Sequence, residues 1–327
     1  MVISFFKKKG FIEDPKLRKK IFTNVTHTSP VPRGGGIPIF LAIFTTAFIF
    51  LPADPILKII FLAAFLNLAI GIIDDIKDIN PYFRLFINFA AAFLIAFAGV
   101  RIKFFTNPAG GIILLEKSQI TLLSLLITVF WIVWCTNIVG WAGGVPGQLP
   151  GFTAITAATI GLLSLKFSQD LTQWPVIILA GVASGAFFGF LPYNFYPQKI
   201  MPGYSGKSLA GFLLAVLAIL SGAKLATAIL VLGVPMADGF FSILRRILRK
   251  KSPVWADAGH LHHLMLKAGI PKPLIAVLYW LFSLVLGFIV LNLNSKQKVY
   301  ALIMLVVFVG FLFLSLKKVI KKKTKRK

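Results

Sequence analysis

Asp74 and Asp75 stand side by side, with Asp78 three positions on, in the run DDIKDINPYFR that closes a long apolar stretch. Adjacent carboxylates repel each other, and at a membrane boundary they need a partner. Lys77 and Arg84 are close enough in sequence to serve. A divalent cation is the other solution, and Mg²⁺ suits it: a hard ion held by one or two carboxylates together with substrate phosphates. Asp238 closes a second apolar run and is followed by Arg245, Arg246, Arg249, Lys250 and Lys251. That setting suits an anion; its plainer reading is an N-cap for a helix from Phe240. His260, His262 and His263 follow in a loop that also carries Asp257. Near neutrality such histidines can donate hydrogen bonds to phosphate. The single cysteine, Cys135, is remote and no second His/Cys cluster is spaced for zinc, so a structural zinc site is excluded. Glycine-rich turns at 34–36, 140–147 and 203–206 would let backbone amides approach phosphate oxygens. The segment GYSGKS lacks the spacing of a P-loop, and no strand precedes it. Together these groups suit phosphoryl transfer, which needs positioning and charge neutralisation more than covalent chemistry.

The elements that must hold them are membrane spans. Of 327 residues, 57% are hydrophobic and only 14% charged, against about a quarter charged in a soluble domain. This excludes a soluble enzyme, a disulfide scaffold and a disordered chain. The apolar stretches predict an all-α polytopic membrane protein of ten spans: 37–53, 56–73, 85–103, 119–137, 150–166, 174–192, 208–222, 225–238, 274–293 and 299–316. Residues 1–36 form a basic N-terminal segment, 37–316 the multi-span domain, and 317–327 a basic tail.

Charge gives the orientation. The chain holds 35 Lys and Arg against 10 Asp and Glu, a net +25. Alternate loops (1–36, 74–84, 138–149, 193–207, 239–273 and 317–327) carry 27 of the 35 cations. The positive-inside rule places these loops and both termini in the cytoplasm. Basic loops that set topology and meet anionic lipid account for the charge without nucleic acid. The acids at helix ends then fall on the cytoplasmic face. Asp54, Glu116 and Asp170 fall outside.

Several stretches resemble the polyprenyl-phosphate N-acetylhexosamine-1-phosphate transferases, which include the phospho-MurNAc-pentapeptide translocase and the GlcNAc-1-phosphate transferases of cell-envelope glycans. Residues 74–90, DDIKDINPYFRLFINFA, are similar to that family's D-D-x-x-D-x-x-P motif and carry the most specific likeness. Residues 11–37 resemble its opening motif ending in P-R-x-G-G. Asn137 matches the first Asn of N-x-x-N-x-x-D-G-x-D-G, and Asn194 lies in PYNFYPQKI. Asp238 lies in VPMAD, and ADAGHLHHLML is similar to D-R-x-H-x-H-H-R. The resemblance implies that Asp74, Asp75 and Asp238 bind Mg²⁺ (or Mn²⁺) and carry the chemistry. Arg84, Asn137, Asn194, Lys207, His260, His262 and His263 would contact substrates. These would be polyprenyl phosphate and a UDP-sugar, GlcNAc-type by the H-x-H-H pattern. Products would be UMP and a polyprenyl-diphospho-sugar. It also implies a prokaryotic plasma membrane and homodimers. The family's first span, which normally precedes the opening motif, has no counterpart here.

The departures lie on the donor side. Gly140 stands at the family's second Asn, Gly143 and Pro146 at two Asp, Tyr204 at a third and Lys207 at a Ser. Ala258 and Leu264 replace two Arg. The sequence leaves two readings: a transferase with an altered donor site, or a non-catalytic membrane protein that binds polyprenyl phosphate. A secondary transporter would need acids near mid-membrane, and these lie at helix ends.

Overall fold

The computed structural model describes all residues except 1, 17–25, 28, 108–110, 116–120, 167–168, 223–224, 253–254, 256–257 and 326–327. Asp257 and Glu116 lie outside the described residues. The chain is all-α, with helices α1 (Val2–Lys8), α2 (Gly36–Phe50), α3 (Pro55–Lys77), α4 (Pro81–Phe97), α5 (Thr121–Ala142) and α6 (Gln148–Leu165). Then follow α7 (Trp174–Asn194), α8 (Gly203–Leu220), α9 (Leu225–Val231), α10 (Gly233–Leu248), α11 (Leu261–Ala268), α12 (Lys272–Asn292) and α13 (Ser295–Lys325). Two small antiparallel pairs join them. One pairs β1 (Ile12–Glu13) with β2 (Val31–Pro32); the other pairs β3 (Phe104–Thr106) with β4 (Ile112–Leu114).

Among the described residues, seven helices are long and apolar enough to cross a membrane: α3, α5, α6, α7, α8, α12 and α13. The protein is therefore an integral membrane protein. The expected count of ten is not reached by length and composition. The stretches at 37–53 and 85–103 form the shorter apolar helices α2 and α4. The stretch at 225–238 is not a straight span: α9 and α10 meet at a bend of 84°. Pro235 explains the break, since it has no N–H to give the carbonyl of Val231, four residues back. Beyond the bend α10 is two-faced. Asp238, Ser242 and Arg246 are buried on one side, and Phe240, Leu244, Ile247 and Leu248 are exposed on the other.

Helix α8 lies at the centre, packed by α2, α3, α5 and α6. Close approach rests on small residues, as in other membrane bundles. A Cβ at Gly36 or Gly71 would strike Ser205 of α8, and one at Gly211 would strike the backbone of Cys135 in α5. Helix α13 is 31 residues long, about 46 Å at 1.5 Å per residue. It outruns a hydrocarbon core of about 30 Å, so the expected polar tail continues as helix. Its Lys323 Nζ donates to the carbonyl of Ala268 at the end of α11 (3.0 Å).

Candidate active site

Helix α3 delivers the acids. Asp54 caps its start, accepting the Leu57 amide at 2.7 Å, and Pro55 occupies the first turn. Asp78 ends it in the left-handed conformation (φ 49°), a geometry Asp tolerates better than most residues. Asn80 then caps α4 through the Tyr82 amide (2.9 Å). This tight corner folds Arg84, in the first turn of α4, back onto α3. Arg84 Nη1 donates to both oxygens of Asp74 (2.9 and 3.0 Å), and the Ile79 amide adds a third bond (3.1 Å). The Arg84 guanidinium lies 4.6 Å over the Tyr204 ring, whose hydroxyl accepts from Asn88 Nδ2 (3.1 Å).

Asp75 faces the other way. Its Oδ1 accepts the Tyr204 amide (2.6 Å), and its Oδ2 accepts the Ser205 hydroxyl (2.6 Å) and, more weakly, the Ser205 amide (3.3 Å). The carboxylate thus sits on the N-terminus of α8, where amides and helix dipole favour negative charge. Gly203 is required beside it, with φ +67° and a Cβ position that would collide with the carboxylate. The glycine turn at 203–206, expected to cradle phosphate, spends its amides on Asp75.

Arg33 is the residue that sequence reasoning missed. The β1–β2 pair, with Glu13 opposite Val31, brings Arg33 just past the strand beside Glu13, whose Oε2 is 3.4 Å from its Nε. The same guanidinium is 3.6 Å from Asp74, 3.3 Å from Asp75 and 2.8 Å from Asp78. Burial alone would lower its pKa; Asp75, Glu13 and Asp78 outweigh burial and raise it. Its signal in the sequence is the P-R-x-G-G likeness, which sets this Arg between β2 and α2. The counterions of the acid pair are thus Arg84 and Arg33, while Lys77 is exposed.

Asp238 builds a second, separate cluster. It does not cap a helix from Phe240, because α10 already begins at Gly233. Instead its Oδ1 accepts the Leu261 amide (2.8 Å) at the start of α11, and its Oδ2 lies 3.1 Å from His260 Nδ1. Arg246 Nη2 lies 3.2 Å from His260 Nε2. Arginine can only donate, so His260 Nε2 accepts and Nδ1 carries the proton toward Asp238. Ser242 Oγ stands 3.2 Å from the same Nδ1, and Arg246 covers Trp141 at 5.0 Å. Arg246 therefore turns inward, away from the anion-binding role expected of its cluster. Among the described residues, no group of three or more His, Cys, Asp or Glu side chains is gathered for a metal ion. Asp74, Asp75 and Asp238 do not form one cage: Asp75 is spent on α8 and Asp238 on α11.

One cleft of about 390 Å³ joins these parts. Asp74, Arg84, Asn137, Asn194, Lys207, His260, His262 and His263 all line it, with Arg33 and Glu13. Asn137 bonds back to the Val133 carbonyl (2.8 Å). Asn194 braces two loops, accepting the Gly147 amide (2.8 Å) and donating to Ile200 O (2.9 Å). Gln148 Oε1 accepts the Gly144 and Val145 amides, fixing the turn that carries Gly143 and Pro146. His262 packs against that turn, where a Cβ on Gly144 would strike its ring. It is 1% exposed, and neither ring nitrogen has a partner. Burial first, then the charges of His263, His260 and Lys207, push its pKa well below 6.5, so the ring is neutral.

Residues 57–222, half of the chain, match the family model described as Glycosyl transferase family 4. A Bacillus subtilis protein named "Probable undecaprenyl-phosphate N-acetylglucosaminyl 1-phosphate transferase" is 28% identical over 310 residues, covering 93% of this chain and 83% of its own. The decaprenyl-phosphate N-acetylglucosaminephosphotransferase of Mycobacterium leprae is 28% identical over 296 residues, covering 80% and 73%. The undecaprenyl-phosphate alpha-N-acetylglucosaminyl 1-phosphate transferase of Haemophilus influenzae is 29% identical over 317 residues, covering 93% and 84%.

Proposed function

The chain belongs to glycosyl transferase family 4, and from that premise we propose that it transfers N-acetylglucosamine 1-phosphate from a UDP-linked donor to polyprenyl phosphate. The acceptor and sugar follow the names of its relatives. The observation that carries the reading is the convergence of Asp74, Arg84 and the three histidines, from distant parts of the chain, on one cleft of a membrane bundle. The cleft faces the cytoplasm by the excess of Lys and Arg in the loops that build it.

An oxygen of the lipid phosphate attacks the sugar-linked phosphorus of the donor. The bond from that phosphorus to the bridging oxygen breaks, and its electron pair leaves with UMP. The chain's part is placement and fixed charge. Arg84, held flat by Tyr204 and Asp74, presents donors at the cleft wall. Arg33 balances the acids so that the wall does not repel a diphosphate. His262, neutral and unpartnered, offers one donor and one acceptor to the bound nucleotide or sugar. Mg²⁺ or Mn²⁺ would be held by Asp74, whose Oδ2 accepts one hydrogen bond and keeps a lone pair, together with substrate phosphates, and would neutralise phosphoryl charge. Glu13 and Asp78 also line the cleft but are paired with Arg33, and no three acids gather round one point among the described residues, which fits that shared mode rather than an all-protein cage.

The reading is tested by incubating the purified chain with undecaprenyl phosphate, UDP-N-acetylglucosamine and Mg²⁺, then weighing the extracted lipid. A lipid heavier by one N-acetylglucosamine phosphate supports it. Unchanged lipid under conditions where a relative converts it defeats it.

A further inference from the structure

Lys207 projects from the first turns of α8 into the cleft. The other charged groups of the wall are matched. Asp74 has Arg84, and Asp78, Glu13 and Asp75 have Arg33. Lys207 makes no hydrogen bond or ion pair with any described residue. His262 lines the same cleft, feels its charge and has two unpartnered nitrogens, while Glu13 and Asp75 act on Lys207 only through space. A half-buried ammonium with no acceptor costs free energy that the fold does not recover. Space for it comes from α5. Gly140 has no side chain, and a Cβ there would already lie 3.5 Å from Lys207 Cβ. Any longer side chain at 140 would compete with the lysine for the same volume.

Resting on the transferase reading above, we infer that Lys207 is the cleft's receptor for a phosphoryl oxygen of the substrate, admitted by the missing side chain at Gly140. The ligand class is a phosphate ester, and the two candidate sources are the donor's diphosphate and the lipid's phosphate. The bound anion supplies the acceptor that the protein withholds. The Gly140–Lys207 pair replaces an Asn and a Ser of the family pattern, so it is an adaptation of this chain's own cleft.

The test uses the full chain in lipid nanodiscs, with UDP-N-acetylglucosamine and undecaprenyl phosphate titrated separately into wild type, Lys207→Met and Lys207→Arg. Losing a charge-assisted hydrogen bond predicts a roughly 10- to 100-fold weaker Kd in Lys207→Met for one of the two. The arm that weakens names the source. Lys207→Arg restores most of the affinity. Removing an unpaired ammonium leaves the Lys207→Met melting temperature equal or higher, whereas loss of a structural lysine would lower it. Unchanged Kd for both ligands overturns the inference, even if wild type makes the lipid product. Weakened binding in Lys207→Met with no product from wild type upholds the phosphate site and removes the transferase reading. A lowered melting temperature with equally weakened Lys207→Arg makes Lys207 structural and also overturns the inference.

Discussion

Asp74 and Asp75 are adjacent in sequence and opposite in role. Asp75 has both oxygens satisfied by α8 and Ser205, so its removal should act through structure. Ser205→Ala leaves Asp75 short of a hydroxyl and should lower stability by about 1–3 kcal/mol, read in thermal unfolding. Asp74 faces the cleft, and its partner Arg84 also stacks on Tyr204. Lysine at 84 keeps the charge but loses the planar stack on Tyr204. Arg84→Lys should therefore lower kcat/KM by about tenfold or more with little loss of melting temperature, a difference of about 1.4 kcal/mol. His262 gives a pH signature. Its folded pKa lies below the ordinary 6.5, so the folded state favours the neutral ring. Its contribution to stability is full above 6.5 and is lost as pH falls from 6.5 through the lower folded value. Melting temperature should drop on acidification from pH 7 to 5, and the drop should shrink in His262→Asn. An equal drop in both would remove His262 as the cause.

At the scale of elements, the site depends on how closely α3 and α8 approach. Gly71 and Gly36 both abut Ser205, which holds Asp75. Gly71→Val should push α8 away and cost about 1–3 kcal/mol as overpacking. Because the same shift strips Asp75 of its amide donors, activity should fall with it. A folded, fully active Gly71→Val protein would show that the approach does not matter. Much at this scale was legible in the sequence. The acid run, its following proline and Arg84 are local, and helix caps at Asp54 and Asn80 follow from residue type. What was not legible is tertiary. Nothing near Asp238 in the sequence says that it reaches forward to the amide of Leu261, and nothing near Asp75 says that its acceptors are spent on Tyr204 and Ser205. The break at Gly233 was foreshadowed by Pro235, but hydropathy alone runs straight through it.

At the scale of the molecule, charge alternation and the structure agree on which loops lie together. The segments around Arg33, Asp78, Val145, Met201 and His260 line one cleft, as a single-sided set of basic loops requires. Leu51, Pro175 and Leu220 meet at another cavity, lined by the connections of the opposite set. Hydropathy could read this because it reports burial in lipid, which is a property of whole spans. Its ten stretches exceed the seven long apolar helices because α2, α4 and the bent α9–α10 pair are apolar without the full length of a straight crossing. Orientation is accessible to labelling, since the sole cysteine, Cys135, is fully buried. A cysteine introduced at Lys251 should react from the cytoplasmic side only, and one at Lys103 from the outer side only. Asp74 and its cleft are proposed to move a sugar phosphate onto a lipid phosphate. The most direct measurement is UMP release by the full chain given UDP-N-acetylglucosamine, with and without undecaprenyl phosphate, beside Asp74→Asn. Release should require the lipid and fall by about 100-fold or more in Asp74→Asn. Release that ignores the lipid, or that survives Asp74→Asn undiminished, would contradict it.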